Sequence, residues 1–432
     1  MLDIEFIRGN KEFVKNNLSK RGEKYNLKIV DELIVFDKEW RELKGKIDDL
    51  RHERNEITLE ITNLSKQKKD ISSLVAKAKD LPNEIKNGEA RLDELKIKIT
   101  SILMNLPNLL HETVPFGNSD MDNKIVKLFG NKKKPKFNLL SHVDLIEKNG
   151  WVDLDRAAKI SGARWYFLKG ELALLEQALV RYGIDFMVKR NYTLVVPPFM
   201  MNRKAYEGVT DLEAFGEMLY KIDGDDLYTI ATSEHPITAM YMGEVLDGEK
   251  LPIRLLGYST NFRKEAGAHG KDMKGIFRVH QFNKVEQLIF CKPEQSWKLH
   301  EELIKNAIGF FKSLGLHFRQ VNVCTGDIGI VAAKKYDLEV WYPVQEAYRE
   351  VVSSSNCTNY QAVRLGIKYN TKNRNEYIHT LNSTLVATSR ALVAIIENFQ
   401  QKDGSVVVPK VLRKYMNGVK VIGKKTIIKR KK

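Results

Sequence analysis

Residues 261–287 read NFRKEAGAHGKDMKGIFRVHQFNKVEQ. Arg263 and Glu265 open the stretch. Arg278, Phe282 and Glu286 close it, after a run of small, flexible and basic residues. Residues two apart on a strand share a face. The spacing therefore predicts a hairpin, with Arg263 and Glu265 on one strand and Arg278, His280 and Phe282 on the returning strand, in line with Glu286. Guanidinium groups match phosphate oxygens bidentately. A flat ring can stack on a purine, and a carboxylate can hold an ammonium group. Phosphate, purine and amine together describe ATP and an amino acid. Taken alone, the same residues also fit an ordinary surface hairpin with cross-strand salt bridges.

Composition narrows the choice. A chain of 432 residues exceeds one ordinary domain. Its hydrophobic fraction of 43% supplies a sizeable core and excludes a disordered chain. The net charge is +16, which favours a polyanionic partner such as nucleic acid or an anionic membrane surface. No apolar run approaches the roughly 18 residues of a membrane span, and MLDIEFIRGN has no apolar signal-peptide region. Cys291, Cys324 and Cys357 lie far apart, which suggests neither a disulfide framework nor a zinc knuckle and fits a reducing cytosol. A cytoplasmic location without membrane attachment is expected.

The first quarter has its own pattern. From Phe36 the apolar positions run Trp40, Leu43, Ile47, Leu50, Ile57, Ile61 and Leu64, with Arg54 as the polar interruption. Steps of four and three make this a heptad seam. SKQKKD (65–70) breaks it, and it resumes at Ile71, Leu74, Ala78, Leu81 and Ile85, then Leu92, Leu95, Ile99, Ile102 and Leu106. Two long helices folding back as an antiparallel coiled coil are expected, on the order of 50 Å long, ending at Pro107 and Pro115. The other faces are charged and nearly balanced in sign. The hairpin reads either as a dimerisation element or as a lever for a large partner; for RNA, shape and a few basic contacts would matter more than bulk charge.

The expected boundaries are an arm over 1–115 and a second domain over 116–432 with a basic tail. In the latter, 161–190 reads as a strand edge and an amphipathic helix with Leu172, Leu175, Leu179 and Tyr182 on one face. YTLVVPPF (192–199) is a β-branched run stopped by Pro-Pro. IRLLGYSTNF, FRVHQFNKVEQLIF and DLEVWYPV are strand-like, and 381–400 reads as a strand turning into a buried helix. The mixed order predicts an α+β fold with an antiparallel sheet.

Several segments then agree with one family. Residues 254–290 resemble the second signature motif of the class II aminoacyl-tRNA synthetases, with Arg263 and Glu265 at its start. YTLVVPPFM resembles the first motif, with Pro198 as its proline, and 381–416 resembles the third, with Arg390 as its arginine. ATSEHPITAMY (231–241) and YREVVSSSNCTNYQAVR (348–364) resemble the Thr-x-Glu and Glu-x-Ser-Ser segments of the seryl-tRNA synthetases, and the N-terminal hairpin resembles that family's tRNA-binding arm. The resemblance covers nearly the whole chain.

It implies a homodimer built across the first motif, an antiparallel sheet of six or seven strands flanked by helices, and a two-step reaction. L-serine and ATP would form seryl-adenylate, and the seryl group would pass to the 3′ end of serine tRNA, with selenocysteine tRNA a further candidate. It assigns Arg263 and Arg390 to catalysis at the phosphates. ATP would be held by Arg263, Lys264, Glu265, Arg278, Val279, Phe282, Glu350, Val351, Val352, Ser353 and Arg390. In this set Phe282 lies under adenine, Val279 reads its edge through the backbone, and Glu265 lies near its amino group. Serine would be held by Thr232, Ser233, Glu234, Arg263, Glu286, Asn382 and Thr384. Glu350 and Ser353 would take magnesium, as hard oxygen ligands suit. The zinc-binding cysteine of a rarer form of the family has no counterpart here, so no zinc is expected. Lys271 and Lys274 in the loop 265–275 would meet the tRNA acceptor end. Val352 stands where the family has its first serine, and Val363-Arg364 where it has paired arginines. Competing readings are a ligase that loads a protein carrier, a non-catalytic RNA-binding paralogue, a coiled-coil scaffold and a threonine-specific relative. The arm, the retained Arg263, Arg390 and Glu286, and the Thr-Ser-Glu segment argue against them.

Overall fold

The computed structural model describes residues 1–22, 26–133, 135–212, 216–265 and 274–423. Much of the loop carrying Lys271, and the tail 424–432, lie outside the described residues. The chain divides into two compact units, Met1–Pro107 and Asn108–Lys432. Residues 108–115, grouped above with the arm, are bonded into the second unit: Asn108 N–H donates to the Ile330 carbonyl at 2.7 Å and His111 N–H to that of Ala333 at 3.0 Å.

The first unit holds α1 (Ile4–Gly9), α2 (Lys11–Ser19), α3 (Lys28–Lys66) and α4 (Ser72–Asn105). The long pair α3 and α4 is the expected hairpin. Every apolar seam position named from the sequence is buried or half-buried. Helix α3 begins at Lys28, well before Phe36, because Val30 and Leu33 continue its buried stripe. At the polar interruption Arg54 is exposed, and its neighbour Glu53 pairs with Lys77 across the helices at 2.9 Å. Arg51–Glu89 and Arg91–Glu39, both 2.7 Å, cross the same pair of helices. Gly88 faces Ile47 so closely that a Cβ there would lie 2.8 Å from Ile47 Cδ1. Pro82 sits exposed inside α4 and the helix runs through it, although its ring removes one backbone bond.

The second unit is built on an eight-stranded sheet: β1 (Lys124–Phe129), β2 (Thr193–Val195), β3 (Ile253–Phe262), β4 (Gln281–Cys291), β5 (Phe318–Asn322), β6 (Lys334–Tyr342), β7 (Ala347–Asn356) and β8 (His379–Ala387). In space the order is β1-β5-β6-β7-β8-β4-β3-β2. Neighbours are antiparallel except β2, which joins β3 in parallel. The sheet thus has more strands than the expected six or seven, and YTLVVPPF supplies its parallel edge, where Pro197 and Pro198 need no ladder partner. Helices α5 (His142–Asn149), α6 (Gly170–Val188), α7 (Ser296–Leu314) and α8 (Thr388–Asn398) contribute to the core. Leu172, Leu175 and Leu179 of α6 are sealed in that core, and Tyr182 stacks on Phe310 at 5.2 Å.

Two departures matter for the site. Strand β3 ends at Phe262 and β4 starts at Gln281, so Arg263, Glu265, Arg278 and His280 lie beyond the ladder rather than on strand faces. Strand β7 carries a bulge: Leu338 pairs with Val352, but Glu339 pairs with Glu350, leaving Val351 extra.

Candidate active site

The ends of β3, β4, β7 and β8 converge on two adjoining cavities of about 60 and 540 Å³, which share Arg263, Lys284, Glu350 and Thr384 as walls. Irregular backbone does what strand alternation does not. Glu265 takes a left-handed φ of 48°, and its carbonyl accepts from Arg164 Nη1 at 3.0 Å. The His280 ring is held 2.7 Å from the Arg263 carbonyl and 3.0 Å from the Tyr220 hydroxyl. His280 therefore braces the hairpin base instead of facing the cavity with Arg278.

The smaller cavity is lined by Arg263, Glu265, Phe277, Arg278, Val279, Phe282, Glu350, Val351 and Arg390 among others. The Arg263 guanidinium lies over the Phe282 ring at 5.2 Å and donates through Nε to the Ala231 carbonyl at 3.2 Å. Burial, and then the nearby Arg390, push its pKa down from the usual arginine value. The cavity therefore sets two guanidinium groups, Arg263 and Arg390, close together, with the carboxylates of Glu265 and Glu350 among its walls. Arg390 donates to the Glu350 carbonyl at 2.8 Å and lies 3.5 Å from its carboxylate.

The bulge decides the role of β7. In a regular strand, residues 350 and 353 would face opposite sides. The extra Val351 lets both Glu350 and Ser353 line the larger cavity. Burial alone would raise the Glu350 carboxyl, but Arg390, Lys335, Arg263 and Lys284 outweigh it and hold it below its ordinary value. The Ser353 hydroxyl is hydrogen-bonded to Asp337. With its proton held by a carboxylate, Ser353 can turn a lone pair outward. An ionised carboxylate beside a hydroxyl oxygen is a donor set that fits magnesium.

The larger cavity is lined by Thr232, Glu234, Glu286, Asn382 and Thr384 as well. Glu286 is 1% exposed, bonded to Lys284 Nζ at 2.5 Å and accepting from Thr384 Oγ1 at 3.3 Å. Burial pushes its carboxyl up to about 7, against the pull of Lys284 and with the push of Glu234. Glu234 Oε1 accepts from Asn382 Nδ2 at 2.9 Å and Gln361 Nε2 at 3.3 Å, and burial raises its carboxyl too. Two carboxylates, a lysine and hydroxyls in one half-closed space can hold a zwitterion that bears its own hydroxyl.

Four named residues turn elsewhere. Ser233 is fully buried against Gly257, where a Cβ would come within 2.5 Å of its Oγ. The Lys264 ammonium lies over the Tyr220 ring at 5.6 Å and lines neither cavity. Val352 packs its side chain in the core. Arg364 anchors the Glu207 and Thr210 carbonyls at 3.1 and 3.0 Å. Sequence reasoning missed Lys284, Lys335 and Gln361. Lys284 stands two residues before Glu286 on β4, so the alternation that exposed Glu286 could have found it. Gln361 offered no comparable signal.

Comparison with known proteins decides what this site belongs to. Residues 1–110 match the family model described as the seryl-tRNA synthetase N-terminal domain, and residues 219–399 match the tRNA synthetase class II core domain (G, H, P, S and T). The serine–tRNA ligase of Methanocella arvoryzae is 53% identical over 425 residues, covering 98% of this chain and all of that protein. The chain belongs to the seryl-tRNA synthetase family. It is a serine–tRNA ligase, which activates L-serine with ATP and charges serine tRNA. The synthetase is also similar to a crystal structure of seryl-tRNA synthetase from Pyrococcus horikoshii complexed with ATP, at TM-score 0.91 and 46% identity, covering 98% of this chain and 99% of that one. A cytoplasmic serine–tRNA ligase of Naegleria fowleri in complex with AMP matches at TM-score 0.86 and 37% identity, covering 98% of each chain. Among the described residues, no helix of the synthetase is long and apolar enough to cross a membrane.

Proposed function

We propose that ATP binds over the smaller cavity and reaches the Glu350 and Ser353 side of the larger one, and that the rest of the larger one takes serine, with Arg263 at the junction of the two. The supporting observation is that Arg263, Lys284 and Glu350 wall both cavities, so an α-phosphate and a serine carboxylate can meet there. Arg263 stabilises charge developing at the α-phosphate. Arg390 and Arg278 hold the far phosphates, and Phe282 lies under adenine with Val279 and Glu265 at its edge. Glu350 and Ser353 would hold magnesium, which would supply positive charge to offset that of the phosphates. Glu234 and Thr232 hold the serine ammonium. Glu286, Thr384 and Asn382 pair its hydroxyl, so alanine would leave buried polar groups unpaired.

The two-helix unit binds serine tRNA through its shape and basic contacts. The synthetase acts as a cytoplasmic homodimer, a reading supported by the exposed apolar residues Leu174, Val188, Leu194 and Val196 in and around the first motif. Selenocysteine tRNA, which shares the seryl step in this reading, is a second acceptor.

The test is ATP–pyrophosphate exchange with each of the twenty amino acids, without tRNA. Exchange with serine alone supports the assignment. Exchange led by another amino acid would move Thr232, Glu286 and Thr384 out of the serine site.

A further inference from the structure

Outside the two cavities lies a sealed pair, His142 and Glu397, only 5% and 1% exposed. His142 is the first residue of α5. Its backbone N–H donates to Glu397 Oε1 at 3.1 Å, and its Nδ1 lies 3.2 Å from the same oxygen. Glu397 is on α8, seven residues after Arg390, so two helical turns put both near one face.

The other edge of the His142 ring meets Gly275. A Cβ on Gly275 would lie 2.4 Å from His142 Nε2 and 3.0 Å from Val143 Cγ2. Gly275 has a φ of +79°, a conformation that glycine adopts without strain. Two residues on is Phe277, whose ring is flanked by the guanidinium groups of Arg390 at 5.5 Å and Arg349 at 5.2 Å. Phe277, Arg278 and Val279 then line the smaller cavity.

Packing alone does not explain the pair. Among the described residues, His142 Nε2 and Glu397 Oε2 are sealed from solvent with no hydrogen-bond partner, a state that costs free energy and that an apolar pair would avoid. An open space of about 710 Å³ lies beside it, walled by Asp144, Arg349 and both members of the pair. The imidazole and Val143 are the groups that a side chain at Gly275 would press against.

We infer that His142, held by Glu397, is a positioning residue for ATP: it fixes Gly275 and so sets Phe277–Val279 against the helix that carries Arg390. This rests on the reading that ATP binds over the smaller cavity. It concerns the return of the hairpin and leaves the serine cavity unaffected.

The experiment is serine-dependent ATP–pyrophosphate exchange with the full chain and with His142→Asn, which keeps a donor toward Glu397 but withdraws the ring edge from Gly275. KM for ATP should rise about tenfold, the scale of a displaced binding group, while KM for serine stays within about twofold. Gly275→Ala, which presses the same contact from the other side, should show the same split, and it serves should His142→Asn fail to fold. Unchanged ATP KM in a folded variant, or equal rises in both KM values, overturns the inference. No saturable ATP dependence in the unaltered protein would overturn the ATP reading instead.

Discussion

The two-helix unit and the active-site cavities solve opposite problems. The α3–α4 pair is one seam wide. Its stability is spread over many half-buried contacts, and its charged pairs stand in water, where each contributes little. The cavities concentrate charge. Lys284, Glu286, Asp337 and Lys335 have side chains between 1% and 18% exposed, and burial raises the carboxyls of Glu286 and Asp337. The first design tolerates substitution almost anywhere off the seam. In the second, single atoms decide the outcome.

The sharpest way to break this contrast is at Arg263. Arg263→Ala should lower kcat for serine-dependent exchange about 10²–10³-fold, as loss of one charge-stabilising donor does, with the melting profile little changed. A loss under tenfold would show that the site's work is spread as widely as the arm's. Next comes the seam itself. Ile47 is 1% exposed, and Ile47→Ala should destabilise the first unit by about 2–5 kcal/mol, followed by helical circular dichroism, while exchange stays near normal.

A smaller effect tests the buried charge. Burial pushes the Glu286 carboxyl up to about 7, from 4.5 as its ordinary value. Its raised value means stabilisation that is fully present below 4.5 and is lost as pH rises through 7. Asp337 is pushed up to about 7 in the same sense, by burial first, against Lys335. The drop in melting temperature of the free protein from pH 6 to pH 8 should therefore shrink, without vanishing, in Glu286→Gln. An unchanged drop would place the titration elsewhere. The smallest effect belongs to the arm's surface: Glu53→Gln, which removes the exposed partner of Lys77, should leave its melting temperature within experimental error.

The same contrast explains what the sequence could reveal. The arm was legible from period alone, since a heptad seam needs nothing from the rest of the chain. The short helices α1 and α2, the start of α3 and the passage through Pro82 escaped it. The strands IRLLGYSTNF and the strand-to-helix turn over 381–400 were legible from β-branched and apolar runs. The parallel pairing of β2 was not, because partner choice is tertiary. In the site, strand alternation brought Arg278 and Phe282 together for a wrong reason. Arg278 reaches the cavity from irregular backbone, which alternation does not describe, and His280 turns away. The bulge at Val351 explains why Glu350 and Ser353 line the same cavity while Val352 packs inward. That shift of one residue is set by the pairing with β6 and is invisible in β7 alone. Lys264 and Ser233 came from motif resemblance, and the local fold points both side chains away from the cavities.

The central claim is a division of labour, with activation in the second unit and tRNA capture in the first. It is tested most directly by replacing residues 28–105 with a short flexible linker and measuring two rates on the same preparation. Serine-dependent ATP–pyrophosphate exchange should stay within about threefold of the intact chain, while charging of serine tRNA should fall by about 100-fold or more, the loss expected when a protein gives up many phosphate contacts. Charging that survives the replacement, or exchange that falls together with charging, would contradict the account.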